Sequence, residues 1–247
     1  YAARSKRLRS SSSAAGNYMT LAKARRALRL CADPKKARTF RGFFKSTADV
    51  FLGVTTAQMR KLAREFQELP LRDVRELMKS TIHDERSLAH AILVLKFREA
   101  DDRAKTAIFR FYMRNRKFIH EWDGVDDSAP YIVGPYLLKR DKTPIYELAR
   151  SESLWDRRIA MVSTWWFIRQ GQVRDSLRIA RLLLKDEEDL IHKAAGWMLR
   201  EVGKRNLQAL EQFLKRHHRK MPRTMLRYAI ERFAPAKRRA YLAGKIN

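Results

Sequence analysis

The residues best suited to chemistry fall in two short stretches. The first, Trp122-Asp123-Gly124-Val125-Asp126-Asp127, sets three carboxylates beside a tryptophan. Asp126 stands two residues after Gly124, where a helix is expected to begin. Two readings fit it. As a cap or first-turn residue it would satisfy free backbone N–H groups and complement the helix dipole. As a carboxylate kept ionised by that helix end, it could stabilise positive charge developing in a transition state and orient a water molecule. The second stretch is Ile191 to Arg200. At 100° per residue the apolar stripe of this helix centres on Ile191, Ala195, Met198 and Val202, and Trp197 projects roughly 120° away from it. Its neighbours on the wheel are Lys193, Arg200 and Lys204. A tryptophan on a basic face either buries against a further helix or forms a platform for nucleic acid, where base–aromatic contacts contribute about 1–3 kcal/mol. Such a face also attracts a cation.

Other familiar chemistries find no support. His83, His90, His120, His192 and the pair His217-His218 show no metal-ligand spacing with cysteine or with a second helical carboxylate, so no metal is expected. The sequence holds neither a phosphate-cradling glycine loop nor a nucleophilic serine or cysteine elbow, so no cofactor is expected either. Cys31 is the single cysteine, which excludes an intrachain disulfide and fits a reducing compartment. No apolar run approaches the roughly 20 residues that cross a bilayer, so no membrane partner is expected.

Charge points to the partner. The 247 residues hold 54 Lys and Arg against 27 Asp and Glu, a formal charge of +27. So large an excess repels itself unless an anion is near, and neutralising phosphates releases counterions that drive association. A soluble basic protein or a ribosome-associated one has the same composition. Single runs such as Arg25-Arg26 or Lys237-Arg238-Arg239 are ordinary solvated charge; only their sum is informative.

The elements that must carry these residues are helices. Leu88, Ala91, Ile92 and Leu95 recur at helical spacing, as do Leu226, Ala229, Ile230 and Phe233. Breaks are expected at Asp33-Pro34, Leu52-Gly53, Pro70, Asp101-Asp102, Gly124, Thr143-Pro144, Gly171, Pro222 and Pro235. About a dozen helices of roughly 10–17 residues result, pairing every 35–40 residues or so, as in a HEAT-like solenoid. The expected organisation is an all-α, HEAT-like helical-repeat solenoid over residues 17–247 with a concave basic face, preceded by a basic, Ser-rich and flexible arm over residues 1–16. Trp155, Trp166 and Phe167 fall in an apolar stripe and read as core. Arg158 lies at the edge of that stripe, in line with Trp165 and Arg169, where a solvated flank is the ordinary role.

Three segments, in this order and spacing, carry a resemblance: Glu121 to Asp127, Leu154 to Ala160, and Ile191 to Glu201. Together with the Phe51-Leu52-Gly53-Val54 turn they resemble the AlkD family of DNA alkylation-repair glycosylases, from about Pro34 to Phe233. The resemblance implies a solenoid gripping duplex DNA and hydrolysing the N-glycosidic bond of N3- and N7-alkylated purines, without a metal and without flipping the base. It assigns Asp126 as catalytic carboxylate, Trp122 and Trp197 as the tryptophans flanking the lesion, and Arg158 as a phosphate-holding arginine. Lys193 and Arg200, beside Trp197, are expected DNA contacts. The chain departs from the family at Phe43 or Phe44, where a tyrosine is expected, and at Thr55, where a glutamine is.

The implied chemistry is physically coherent. Glycosidic cleavage builds oxocarbenium character on the sugar. Opposite unit charges ~4 Å apart at an effective dielectric of ~20 attract by ~4 kcal/mol, and half of that is already more than tenfold in rate. An alkylated purine departs neutral, so no general acid is needed. The expected partner is double-stranded DNA bearing alkylated bases, bound by a monomer. In a bacterial cell this means the cytoplasm and its nucleoid; a nucleus or an organelle is the alternative. The rival functions are a non-catalytic DNA- or RNA-binding solenoid and a helical scaffold for acidic proteins.

Overall fold

The computed structural model describes residues 19–44 and 49–245. The arm expected over residues 1–16 lies outside the described residues. Several helices begin where the sequence supplies a side-chain cap. Thr20 accepts from the Lys23 amide ahead of α1 (Leu21–Leu30), and Asp33 caps α2 (Pro34–Arg41) with Pro34 in its first turn. Thr55 and Gln58 form a reciprocal capping box on α3 (Thr56–Glu65), so Thr55 holds a helix end. Then follow α4 (Leu71–Met78), α5 (His83–Glu99) and α6 (Asp102–Asn115), the last capped by Asp101. Two short helices, α7 (Trp122–Asp126) and α8 (Ala129–Leu137), lead to α9 (Thr143–Leu148). Ser153 caps α10 (Leu154–Arg169), which is followed by α11 (Arg174–Leu182) and α12 (Asp189–Arg205). The chain closes with α13 (Leu207–His217), α14 (Arg223–Ala229) and α15 (Pro235–Leu242).

The fold is all-α, as the apolar spacing predicts; outside helices the described residues hold one isolated bridge, Val50 to Ile82. Helices α5, α8, α10, α12 and α14 pack in succession as one row, and α4, α6, α9, α11 and α13 lie against it as a second layer. This is the two-layer stacking of a helical repeat. Row helices are covered on more than one side, which explains why α10 buries ten of its sixteen residues and α12 seven of seventeen. The expected stripe Ile191, Ala195, Met198 and Val202 is buried throughout. Phe167 is fully buried, while Trp155 packs on the core from its edge and Trp166 is half-buried.

Most expected breaks fall at helix ends, but Gly124 does not. It lies inside α7 and permits close packing: a Cβ there would meet the His90 ring at 2.8 Å. Behind it, the fully buried Tyr112 shares a hydrogen bond of 2.9 Å with Ser128, and the Ser128 hydroxyl donates to the Gly124 carbonyl. Each such bond contributes about 1 kcal/mol, and together they pin the α7–α8 junction to α6. Asp84 at the start of α5 accepts from the amides of Leu52 and Val54 at 2.7 and 2.9 Å, holding the turn at Gly53, whose φ is 83°.

Candidate functional site

Asp126 closes α7 and does not open it. A five-residue helix offers little dipole, and its C-terminal end has the wrong sign for a carboxylate. The charge of Asp126 is therefore supported differently from the sequence expectation. Arg158, in the first turns of α10, donates Nε to Oδ1 at 3.0 Å and Nη2 to Oδ2 at 2.8 Å. The third guanidinium nitrogen donates to the Leu190 carbonyl at 2.5 Å, at the start of α12. This is a two-pronged, charge-assisted pairing. Arg158 is 5 % exposed, so the solvated flank, the ordinary role for its place on the wheel and the alternative to the phosphate contact that the resemblance assigns, is not what the fold builds; Asp126 keeps 16 % exposure. Burial raises the proton affinity of Asp126 above the usual carboxylate value. Arg158 opposes the rise and the Asp123 charge adds to it.

Trp122 lies one turn before Asp126 on the same helix, half-buried. Its ring stacks on Phe44, with centroids 5.3 Å apart and planes 16° apart. Phe44 also meets Phe51 and His83, whereas Phe43 is 67 % exposed. Of the two phenylalanines, Phe44 is thus the one that belongs to the site. Trp197 is half-buried, resting against the core two turns beyond Leu190 on α12. No ring contact among the described residues joins it to Trp122. The two expected DNA contacts beside it carry acidic partners: Lys193 pairs with Asp189 at 2.8 Å, and Arg200 with Glu231 and Glu201.

Behind Trp122 lies a buried charge cluster that the sequence does not announce. His83, from the start of α5, contacts Asp123 at 2.8 Å and Glu121 at 3.1 Å. Arg86, one turn on, reaches both Glu121 and Asp49 at 3.0 Å. Burial disfavours charge on His83, but its bonds to Asp123 and Glu121 prevail and hold it at about 9. Burial likewise works against the Glu121 charge, yet His83, Asp49 and Arg86 bring it down to about 2. These three donors, His83, Glu121 and Asp123, stand within 4.8 Å of one another and could in principle hold a metal ion. The proton on His83 and the Arg86 guanidinium set two positive charges among three carboxylates, Glu121, Asp123 and Asp49, and burial together with the Glu121 side chain raises the proton affinity of Asp49. Sequence spacing could not reveal the cluster, because its members lie about 40 residues apart. Asp127, screened in part by the solvent it reaches, is pushed up to about 6 by desolvation and then by the charges of Asp123 and Asp126. The neighbours of Arg158 are structural: Asp156 pairs with Arg116 at 2.9 Å, and Arg157 with Asp186 at 2.6 Å.

No helix among the described residues is long and apolar enough to cross a membrane. No curated protein matches the chain. Among solved structures it resembles one described as a predicted DNA alkylation repair enzyme from Enterococcus faecalis. That likeness has a TM-score of 0.65 and 18% identity, over 83% of this chain and 97% of the other, and it shows a shared fold. A family model, that of the DNA alkylation repair enzymes, matches residues 24–233, which include every residue of the site described above. With a match over most of its length, the chain belongs to the DNA alkylation repair enzyme family.

Proposed function

We propose that this chain is a monofunctional DNA glycosylase of the AlkD kind, releasing cationic alkylated purines from duplex DNA by hydrolysis. The observation that carries the reading is the partly exposed Asp126 carboxylate, gripped by Arg158 and set one helical turn from Trp122. A carboxylate aimed from a buried pairing does not need to reorganise when charge appears on the sugar, which is how preorganised electrostatics lowers a barrier. In this role Asp126 stabilises the oxocarbenium-like sugar and positions the attacking water. Arg158 favours the ionised form of Asp126 and fixes its direction; holding a backbone phosphate as well would require part of its fork to be shared. Phe44 covers one face of Trp122, and the other face is assigned to the damaged nucleotide, with Trp197 as the second flanking ring. Lys193 and Arg200 reach phosphates by exchanging their acidic partners for them.

The leaving group decides the substrate. N3-methyladenine and N7-methylguanine carry a positive charge and depart neutral, so the carboxylate suffices. Uracil and hypoxanthine need protonation or other stabilisation as they leave. Duplexes carrying each base are incubated with the protein, and abasic sites are cleaved with alkali and counted. Release of the two methylated purines, with uracil and hypoxanthine left in place, is expected. Efficient uracil or hypoxanthine release contradicts the mechanism, and release of none favours a non-catalytic DNA-binding protein.

A further inference from the structure

Away from Asp126, a groove of about 320 Å³ runs between α11 and α13, two helices of the flanking layer. Leu177 and Phe213 contribute to its apolar floor. Its rim carries Arg174, Arg178, Arg181 and Arg216, with His217 at one end. The first three follow one another at four- and three-residue spacing along one face of α11, about 6 and 4.5 Å apart along the axis. Arg178 stands beside the Tyr146 hydroxyl. Arg174, Arg181 and Arg216 are exposed, and no carboxylate among the described residues pairs with them. The acid nearest in sequence, Asp175, is turned to the Tyr146 hydroxyl at 2.6 Å and to Lys142 at 3.6 Å. The cations beside Trp197, by contrast, do have acidic partners. Like charges gathered around an apolar floor repel one another, and that repulsion is relieved by an anion.

We propose that the α11–α13 groove is a second nucleic-acid site, which takes the phosphodiester backbone of a duplex DNA segment other than the one held at Asp126. Guanidinium groups bind phosphate oxygens in pairs, and a row of them one helical turn apart meets the regular succession of phosphates along a strand. Acidic side chains of a protein partner lack that regularity. The apolar floor beneath suits the sugar edges between phosphates. With both sites filled, one molecule bridges two duplexes, an activity that does not depend on base excision.

The test uses the full chain. A short undamaged duplex is fixed to beads and saturated with protein, the excess is washed away, and a second, fluorescent duplex is added. Wild type is expected to capture it. The variant Arg174→Glu/Arg181→Glu/Arg216→Glu is expected to keep its circular dichroism, its binding to the first duplex and its base excision, yet to capture the second duplex at least ~10-fold less well. A control, Arg103→Glu/Arg110→Glu/Lys139→Glu, makes the same charge change at other exposed positions and is expected to capture like wild type. The proposal is overturned by any of four results. These are no capture by wild type, undiminished capture by the groove variant, equal loss in both variants, or release by polyglutamate where competing duplex has no effect, which would assign the groove to an acidic protein.

Discussion

Asp126 and Arg158 depend on each other. Burial raises the proton affinity of the Asp126 carboxyl; Arg158 opposes the rise, and Asp123 adds to it. Replacing Arg158 with Gln removes the opposing charge, so the folded proton affinity of Asp126 rises further. The ionised carboxylate then appears only at higher pH, and the acid limb of the excision profile is expected to move up by about 1–3 pH units, the effect of one close opposite charge. An unmoved acid limb in a folded Arg158→Gln protein would separate Arg158 from the chemistry. The motif around Trp122 and Asp126 was legible as a candidate site through its resemblance to a known family, since its spacing alone fits a helix cap as well. The burial of Arg158 was not legible, since an arginine at the edge of an apolar stripe usually faces water. Nor was the helix end on which Asp126 sits. Gly124 looks like a break, whereas its missing side chain makes room for His90.

At the scale of elements, the site depends on how α7 is held against α5. The His83 cluster makes that joint, and it has a pH signature. The folded proton affinity of His83, at about 9, lies above its usual 6.5. Stabilisation from such a group is fully present below about 6.5 and is lost as pH rises through about 9. The difference corresponds to about 3 kcal/mol. His90, lowered to about 4 by burial, acts in a lower window and in the opposite sense, weakening the fold as pH falls below its usual 6.5. Thermal stability of the wild type is therefore expected to decline between neutral pH and pH values above 9, and His83→Gln is expected to flatten that decline. Parallel curves for the two proteins would remove His83 from the joint. The sequence shows none of this, because a pairing between α5 and α7 arises only once the helices are stacked.

At the scale of the whole molecule, the described residues form a two-layer helical repeat, and the full chain carries a charge of +27. Its class was readable in advance, since apolar residues at helical spacing and breaks such as Asp33-Pro34 and Asp101-Asp102, where helices do begin, are local signals. Helix lengths were less so. Short α7 and α9 are set by packing against α10, and periodicity over five or six residues carries little information. The charge itself makes a prediction. Affinity for undamaged duplex should fall steeply with salt, with a log–log slope of several units, because each neutralised phosphate contributes about −0.9. A salt-insensitive affinity would instead support a scaffold for protein partners.

The central claim is that one carboxylate supplies the catalysis, and single-turnover release of N7-methylguanine by Asp126→Asn tests it most directly. The substitution keeps the side-chain shape and one oxygen facing Arg158 but removes the charge. The expected result is a folded protein that binds duplex like wild type and releases the base at least ~10²-fold more slowly, roughly 3 kcal/mol in the barrier. Release at a near-normal rate by a well-folded Asp126→Asn protein would contradict the account.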